Sequence, residues 1–289
     1  MRYPEASIGV IGGSGLYEMK EITDIQEARV KTPFGDPSDT IIVGSLGSRR
    51  VAFLPRHGRG HRINPSHLPA RANIFALKLL GVKQVISISA VGSLRQEIKP
   101  LDMVVPDQII DRTRGRPSTF FDQTGLVVHV GFAEPFCPRL VEHVASEVER
   151  QGVTVHKGGV YVAMEGPQFS TIAESNLYRS WGASVIGMTA LPEAKLAREA
   201  EMCYAVLACS TDYDCWHEEH ESVTVEMIIG NLLKNVDHAK AIVRGAVSRM
   251  PEPVCACQTA LKTAIVTAPD LIPASLKAEL KPLIGKYVG

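Results

Sequence analysis

The chain has 289 residues, of which 45% are hydrophobic and 21% charged, so it can bury a large core as an ordinary globular protein. Lys plus Arg and Asp plus Glu both number 31, and this balance provides no basic field for nucleic acid. No apolar run reaches a membrane span, and the N-terminus lacks the apolar core of a signal peptide. We therefore expect a cytoplasmic protein with no nucleic-acid or membrane partner.

Short apolar strands alternate with helical segments along the chain. Strands are predicted at residues 8–11, 40–43, 51–54, 85–89, 160–163, 185–186 and 203–209. Helices are predicted at residues 66–80, 139–150, 190–202 and 223–247, with a helix-like stretch at 273–283. This order predicts an α/β fold: one domain spanning residues 1–289, with a mixed, twisted β-sheet and helices on both faces. Residues 251–289 are expected to form a C-terminal extension.

A glycine-rich loop, Gly12-Gly13-Ser14-Gly15, follows the first strand. Its backbone N–H groups and the hydroxyl of Ser14 could wrap a phosphate. Glu18 stands where a dinucleotide fingerprint needs its third glycine, and the lysine of a P-loop is also missing. Alone, the loop indicates a phosphate site and a plain tight turn about equally.

The segment from Arg56 to Arg62 places three arginines and two histidines, His57 and His61, directly after a strand. Arginine offers a two-pronged fork to a phosphate, and histidine adds a further donor. The alternative is a solvated basic loop. Because its two glycines allow close backbone approach to a ligand, the segment favours an anion site.

Two carboxylates, Asp212 and Asp214, stand two residues apart where the apolar strand 203–209 ends. Alternation along an extended chain would send both side chains to the same side. Since ligands bind at the carboxyl ends of strands in open α/β sheets, these acids are expected to face a cleft. Paired acids there could protonate a base with several nitrogens, or bind a cation.

No metal site is predicted. The six cysteines form neither a C-x-x-C pair nor a zinc spacing, so free thiols are expected. Cys255-Ala256-Cys257 could close a small, strained disulfide, which is the less favoured alternative. The run His217-Glu218-Glu219-His220 departs from H-E-x-x-H, so a charged loop is the better interpretation.

Several motifs together, in order and at similar spacing, resemble those of the methylthioadenosine phosphorylases, a family in the trimeric branch of the purine nucleoside phosphorylases. They are Ile8 to Gly15, Thr32-Pro33-Phe34-Gly35, Arg56-His57-Gly58, Glu165-Gly166-Pro167, Met188-Thr189 with Pro192-Glu193, and Thr211 to Trp216. The match runs from about Ser7 to Val247 and fades beyond. The resemblance implies phosphorolysis of methylthioadenosine to adenine and 5-methylthioribose 1-phosphate, with inorganic phosphate as co-substrate and no other cofactor.

The resemblance also implies a set of site residues. The phosphate-binding residues would be Ser14, Arg56, His57, Ser89, Ala90 and Thr189. The substrate-binding residues would be His61, His129, Phe169, Ser170, Ile186, Gly187, Met188, Asp212, Asp214, Val225, Ile228 and Ile229. Asp212 would be the catalytic acid at N7 of the purine, and Asp214 would hold it or accept from the exocyclic amine. Val225, Ile228 and Ile229 share one helix face and would form an apolar slot for the methylthio group. His129 would come from a neighbouring subunit of a homotrimer or a dimer of trimers.

Two other functions stay open. A purine nucleoside or methylthioinosine phosphorylase would share most of these residues but prefer a keto base, and a non-catalytic nucleotide-binding protein would not need the paired acids. Enzymes for 6-oxopurines resemble this chain but have Glu and Asn where Ser170 and Asp212 stand. Gly187 and Ser14 also depart from the family pattern, since animal members tend to have Asn at the first position and Thr is common at the second.

Overall fold

The structure is a computed structural model that describes residues 3–13, 16, 19–217 and 225–289. The side chains of residues 225–229 and 232 are outside this description. Among the described residues, each helix is too short or too polar to cross a lipid bilayer.

Within the described ranges, eleven strands form one mixed sheet. They are β1 (Ile8–Gly12), β2 (Ile22–Ala28), β3 (Ile41–Leu46), β4 (Arg49–Pro55), β5 (Gln84–Ser93), β6 (Met103–Val105), β7 (Gln108–Arg112), β8 (Val155–Lys157), β9 (Val160–Met164), β10 (Val185–Gly187) and β11 (Cys203–Asp212). The main path runs β2-β3-β4-β1-β5-β10-β9-β7, and β11, β6 and β8 branch from β5. Strands β4, β1, β5 and β11 are parallel neighbours, whereas β10 is antiparallel to β5.

Helices flank the sheet. They are α1 (Ala70–Leu79), α2 (Pro138–Arg150), α3 (Ile172–Ser180), α4 (Ala190–Glu199), α5 (Val225–Ser248), α6 (Ala274–Glu279) and α7 (Lys281–Val288). Helices α1 and α4 pack together and so do α2 and α5, while α2, α4 and α5 all contact β11. Each residue of β11 is buried, as its continuous apolar sequence predicts for a central strand. The predicted α/β class, with a mixed sheet and helices on both faces, is confirmed.

The first predicted helix starts later than expected. Residues Pro65–His67 form a separate 3₁₀ turn, and α1 begins at Ala70. Pro69 is the reason, since the residue before a proline is pushed out of the helical region, and Leu68 is extended at ψ 127°. The long helix predicted at 223–247 runs from Val225 to Ser248 in the described part of the chain.

The segment after α5 folds back onto the body of the protein. Ile265 forms a β-bridge with Val128, and the carbonyl of Ala264 accepts from the backbone N–H of His129. Glu201, which is buried, accepts at 3.0 Å from the backbone of Leu261. Tyr287 and Lys286, near the C-terminus, also bind this carboxylate. The C-terminal segment is therefore anchored by hydrogen bonds and a buried acid.

Candidate active site

A cavity of about 870 Å³ opens where β5, β10 and β11 end and where the segment after β4 begins. Its position follows from the topology, because the parallel strands β4, β5 and β11 end at the same edge of the sheet. Most of the predicted site residues line it, namely Arg56, His57, His61, Ser89, Ala90, Phe169, Ile186, Gly187, Met188, Thr189, Asp212 and Asp214. The structure thus brings together residues that are up to 158 positions apart in sequence, from 56 to 214.

Four predicted site residues lie wholly or with their side chains outside the described part of the chain. Ser14 lies outside the described residues, and so do the side chains of Val225, Ile228 and Ile229. Gly13, which precedes Ser14, lines the same cavity as Arg56, His57 and His61 of the basic segment.

Ser170 and His129 are not among the residues that line the cavity. The hydroxyl of Ser170 faces Sδ of Met164 at 3.5 Å, and its carbonyl accepts from the thiol of Cys215. Ser170 therefore packs behind Met164 and Cys215, which line the cavity. His129 is exposed, and the structure gives it no place in the cavity of its own chain.

Asp212 and Asp214 face the cavity together, but not by strand alternation. Strand β11 ends at Asp212, and Asp214 lies in a turn at φ 52°. The turn is closed by the backbone N–H of Asp214, which donates to Oδ1 of Asp212 over 2.8 Å. The expected shared side is confirmed, whereas the extended geometry assumed for it is wrong.

The surroundings of the two acids favour a retained proton. Asp212 and Asp214 are only 6% and 8% exposed. Burial raises the pKa of Asp212, against the opposing hydrogen bonds from the Thr211 hydroxyl and the Asp214 backbone. Burial also raises the pKa of Asp214, and the neighbouring charge of Asp212 adds to this effect. Such a pair at the end of a cleft is suited to general acid chemistry.

Arg56 is held rigidly at the floor of the cavity. Its Nε donates to Oε1 of Glu193 at 2.6 Å, and Nη2 donates to Oε2 of Glu193 and to the Ser87 hydroxyl. Its Nη1 donates to the carbonyl of Ile88 at 2.8 Å, which leaves one Nη1 hydrogen for a ligand. Arg56 can therefore present one fixed N–H and its charge to an anion, but not a two-pronged fork.

His57 faces the cavity as a neutral ring. Burial and then the charge of Arg56 lower the pKa of His57 to about 4. Nδ1 lies 2.8 Å from the carbonyl of Ile63, so Nδ1 bears the hydrogen and Nε2 is a bare acceptor. His61 stacks on this ring, with centroids 4.2 Å apart, and fixes its orientation.

Two hydroxyl residues, Ser89 and Thr189, line the same cavity. The hydroxyls of Ser89 and Thr189 lie 3.0 Å apart, and the phenol of Tyr161 is 3.4 Å from Ser89. A side chain at Gly187 would collide with Tyr161, since its Cβ would lie 2.0 Å from the phenol oxygen. The departure at Gly187 therefore has a structural reason: Tyr161 fills the space that an asparagine would need.

The residue that holds Met188 and the turn after it, Arg116, was not predicted from the sequence. Arg116, which is 4% exposed, pairs with Glu165 and donates to the carbonyls of Met188 and Leu191. The glutamate belongs to a motif visible in the sequence, but nothing near Arg116 indicates this role. Only the fold brings Arg116 beside residues that follow it by 49 to 75 positions.

A second missed group forms the far wall. The guanidinium carbon of Arg179 lies 3.6 Å from the centre of the Trp216 ring, and both residues line the cavity together with Asn176. The indole N–H of Trp216 donates to the carbonyl of Ser93 at 2.8 Å. This wall combines an aromatic ring with a positive charge.

Residues 7–248 match the phosphorylase superfamily. A protein of Koribacter versatilis named S-methyl-5′-thioadenosine phosphorylase is 57% identical over 286 residues, which cover 99% of this chain and 98% of that protein. The crystal structure of a methylthioadenosine phosphorylase from an Antarctic soil metagenomic library superposes with a TM-score of 0.91 at 47% identity, covering 96% of this chain and 99% of that one.

A methylthioadenosine phosphorylase of Schistosoma mansoni in complex with adenine gives a TM-score of 0.84 at 35% identity, and covers 90% of this chain and 99% of that one. The matches to whole relatives extend beyond residue 248, so these relatives share the C-terminal segment as well. The chain belongs to the phosphorylase superfamily and, within it, to the family of the S-methyl-5′-thioadenosine phosphorylases.

Proposed function

We propose that this protein is a pentosyltransferase that converts methylthioadenosine and phosphate into adenine and 5-methylthioribose 1-phosphate. The observation that supports this function best is the pairing of two buried acids with an anion site in one cavity. A nucleoside of this kind needs both, because phosphate must attack the sugar while the base leaves with an added proton. The names of the relatives agree with this substrate.

Phosphate would lie among Arg56, His57, Ser89 and Thr189, next to the backbone of Gly13 and Ala90. Arg56 supplies a fixed positive charge, and the serine and threonine supply hydroxyl donors. Because Nε2 of neutral His57 is an acceptor, it would take the hydrogen of the P–OH group. The bound anion would then stabilise the positive charge that develops at C1′ as the glycosidic bond breaks.

The leaving purine would be neutralised by Asp212. As the C1′–N9 bond breaks, its electron pair passes to the purine ring, and a proton delivered to N7 makes the base a better leaving group. Asp214 would keep Asp212 in place and accept from the exocyclic amine. Phe169, which is 52% exposed, and the thioether of Met188 would cover the base and the ribose.

The main alternative is a phosphorylase for 6-oxopurine nucleosides. The two acids favour the amino base: while Asp212 gives its proton to N7, the carboxylate of Asp214 accepts from the exocyclic amine, whereas a keto group in that place needs a donor. The deciding experiment is a phosphorolysis assay with methylthioadenosine, adenosine and inosine, each with and without phosphate. Phosphate-dependent release of adenine from methylthioadenosine is expected; faster turnover of inosine would support the alternative.

We further propose that an apolar 5′ substituent is preferred over a hydroxyl. The sequence places Val225, Ile228 and Ile229 on one face of α5, and Asn231 of the same helix donates to the carbonyl of Thr211, a residue that lines the cavity. Burying a methylthio group contributes roughly 1–2 kcal/mol, or about five- to thirty-fold in kcat/KM. The ratio for methylthioadenosine over adenosine should shrink in Val225→Glu, and equal efficiencies in the unaltered protein would contradict the slot.

The reaction as proposed uses neither an organic cofactor nor a catalytic metal ion, since the cavity supplies its own anion donors and acid. Activity should depend strictly on phosphate. Protein that has been treated with a chelator and shown to remain folded should keep its kcat. If such folded protein lost activity and a divalent ion restored it, the proposal would be contradicted.

We also propose that the chain works as a cytoplasmic homotrimer in which His129 reaches a neighbour's cavity. Support comes from the exposure of His129 and its absence from the cavity of its own chain. Its backbone is fixed by Ala264, so the residue is presented from an ordered edge. Mixing His129→Ala chains with Asp212→Asn chains tests this. Shared sites should restore part of the activity in mixed assemblies, whereas full activity of a verified monomer would exclude them.

A further inference from the structure

Four of the six cysteines, remote from one another in sequence, meet at one point of the fold. They are Cys137, Cys203, Cys255 and Cys257. All four Sγ atoms lie within 4.8 Å of one another, with Cys203 and Cys255 at 3.1 Å and Cys137 and Cys255 at 3.9 Å. The remaining cysteines, Cys209 and Cys215, are outside this group. We call these four residues the thiol cluster.

The thiol cluster assembles from three elements. Cys137 is the residue before the first turn of α2, Cys203 is the first residue of β11, and Cys255 and Cys257 belong to the segment after α5. Spacing in the sequence could not predict this group, because two of its members stand alone and the other pair is C-x-C rather than C-x-x-C. It arises only when the C-terminal segment folds back.

We propose that the thiol cluster binds one structural divalent metal ion, such as Zn²⁺, through four thiolates. A tetrahedral tetrathiolate site has metal–sulfur bonds of about 2.3 Å and therefore sulfur–sulfur edges of roughly 3.8 Å. The Cys203–Cys255 and Cys137–Cys255 sulfur distances, 3.1 Å and 3.9 Å, lie on either side of that edge. Two disulfides would need only two short sulfur pairs, whereas one ion needs all six pairs to be short, as they are here.

The surroundings suit a cluster of thiolates. Cys137, Cys203 and Cys257 are 2%, 2% and 4% exposed, so a bound ion would be shielded from water. The N-terminus of α2 points its dipole at Cys137. The side-chain amide of Gln258 donates to Sγ of Cys203 at 3.8 Å, as the outer partner of a metal ligand does.

The charge of the site is also compensated. Four thiolates and one divalent ion leave two negative charges, and binding releases the protons of whichever thiols were protonated. One arginine stands next to the cluster: Arg139, two residues after Cys137, donates to the carbonyl of Val254, the residue before Cys255. Its charge reduces the cost of placing an anionic site in the interior.

The ion would be structural, not catalytic. Cys203 begins β11 and Asp212 ends it, so nine residues of extended chain separate the cluster from the acids. At the rise of a β-strand this distance is roughly 30 Å. The ion would tie the C-terminal segment to α2 and β11, and so hold the backbone contact between Ala264 and His129.

The test uses the full chain, prepared with a reductant and without exposure to air. Metal content is measured first, and metal-free protein is then titrated with Co²⁺, whose tetrahedral thiolate complexes absorb strongly in the visible range. We expect one Co²⁺ per chain, displaced by one Zn²⁺. Zinc should also raise the melting temperature of the metal-free protein, because only the folded chain holds the site.

Cys255→Ser and Cys257→Ser remove one ligand each, and Cys209→Ala is the matched control because Cys209 is a buried cysteine outside the cluster. Each ligand variant, shown by circular dichroism to be folded, should lose affinity by on the order of 100-fold or more and lose the zinc-induced rise in melting temperature. The control should behave like the unaltered protein.

Two results would overturn the proposal. One is Co²⁺ binding by the unaltered chain that is no stronger than binding by Cys255→Ser. The other is a thiol count showing that the four cysteines are paired in disulfides in protein taken directly from reducing cells.

Discussion

The backbone N–H of Asp214 donates a hydrogen bond to Oδ1 of Asp212 over 2.8 Å, so the two acids of the cavity belong to one turn. The second oxygen of Asp212 accepts from the Thr211 hydroxyl at 2.7 Å. These bonds fix the carboxyl group and favour its charged form, while burial raises the pKa of Asp212 above that of an ordinary aspartate. The acid that we assign to N7 is therefore both oriented and able to hold a proton.

Replacing Asp212 by asparagine should abolish acid catalysis with little change in structure. Oδ1 of an asparagine can still accept from the Asp214 backbone, and the Thr211 hydroxyl can donate to the carbonyl of Val91, which lies 3.2 Å away. Loss of one general-acid step should lower kcat/KM on methylthioadenosine by on the order of 10²–10⁴. Steady-state kinetics on protein of verified fold provide the measurement.

The comparison substrate for Asp212→Asn is a 6-keto nucleoside such as inosine. An amide at position 212 can donate to a keto group, so Asp212→Asn should hurt inosine less than methylthioadenosine. An unchanged ratio between the two substrates would remove Asp212 from base recognition. An unchanged rate on methylthioadenosine would remove it from catalysis.

The sequence predicts the central elements well because their burial leaves a clear pattern. Strand β11 is apolar along most of its length, and its prediction is confirmed. Strand β2 was not predicted, since its five inner residues are exposed and show no apolar alternation. Helix α3 was missed for a similar reason, because only Ser175 and Tyr178 are buried in it. Elements that lie at the surface have weak signals.

The candidate site shows the same limit. Residues whose chemistry is local, such as Arg56 and Asp212, could be recognised from motifs at strand ends. The role of the residues that hold them could not: Glu193 belongs to one of the motifs, but it is 137 positions from Arg56 and no pattern in the sequence connects the two. The thiol cluster likewise depends on the return of the C-terminal segment. Long-range contacts decide orientation, and a single sequence does not display them.

Glu193→Gln should cost both stability and phosphate affinity. Arg56 and Glu193 form an ion pair whose side chains are each 3% exposed, and Ser87 and Tyr204 also donate to Glu193. Removing one charge leaves a buried guanidinium without its partner, which costs about 3–5 kcal/mol. Chemical denaturation should show this loss, and the KM for phosphate should rise because Arg56 loses its fixed position.

The matched control for this prediction is Asp36→Asn. Asp36 pairs with Lys31 at the surface, where the two side chains are 66% and 79% exposed, so its loss should leave the free energy of unfolding nearly unchanged. Equal effects of the two substitutions would show that the buried pair has no special role.

Gly187→Ala should disturb the cavity through Tyr161. A Cβ at position 187 would lie 2.0 Å from the phenol oxygen and 2.8 Å from the ring carbon that bears it, so the buried ring must move. Overpacking of this kind costs about 1–3 kcal/mol. Tyr161→Phe removes the closest atom, and the double variant should recover part of the stability and kcat/KM that Gly187→Ala loses.

A double-mutant cycle on these two positions measures the recovery. Gly131→Ala serves as the control, because a Cβ there meets nothing within 4 Å. Strictly additive effects of Gly187→Ala and Tyr161→Phe would contradict the assigned contact.

Glu199→Gln should remove a pH dependence of stability. Glu199 is 6% exposed, and burial raises its pKa to about 7, against the hydrogen bonds from the Phe120 backbone and the Thr119 hydroxyl. A protonated Glu199 can donate to Thr119 while still accepting from Phe120, so its neutral form is fully bonded in the fold.

The sign follows from proton binding. Between pH 4.5, the ordinary value, and about 7, the folded chain holds a proton on Glu199 that the unfolded chain has released. The stabilisation by this group is therefore complete below pH 4.5 and is lost as the pH rises through 7. The difference amounts to on the order of 3 kcal/mol, at 1.36 kcal/mol per pKa unit.

Glutamine keeps the acceptor for Phe120 and has no proton to lose, so Glu199→Gln should gain stability relative to the unaltered protein from pH 5 to pH 8. Melting temperatures across this range are the measurement, with the exposed Glu149→Gln on α2 as a control whose profile should follow that of the unaltered chain. Parallel profiles for Glu199→Gln and the unaltered chain would show that Glu199 is ionised in the fold at all these pH values.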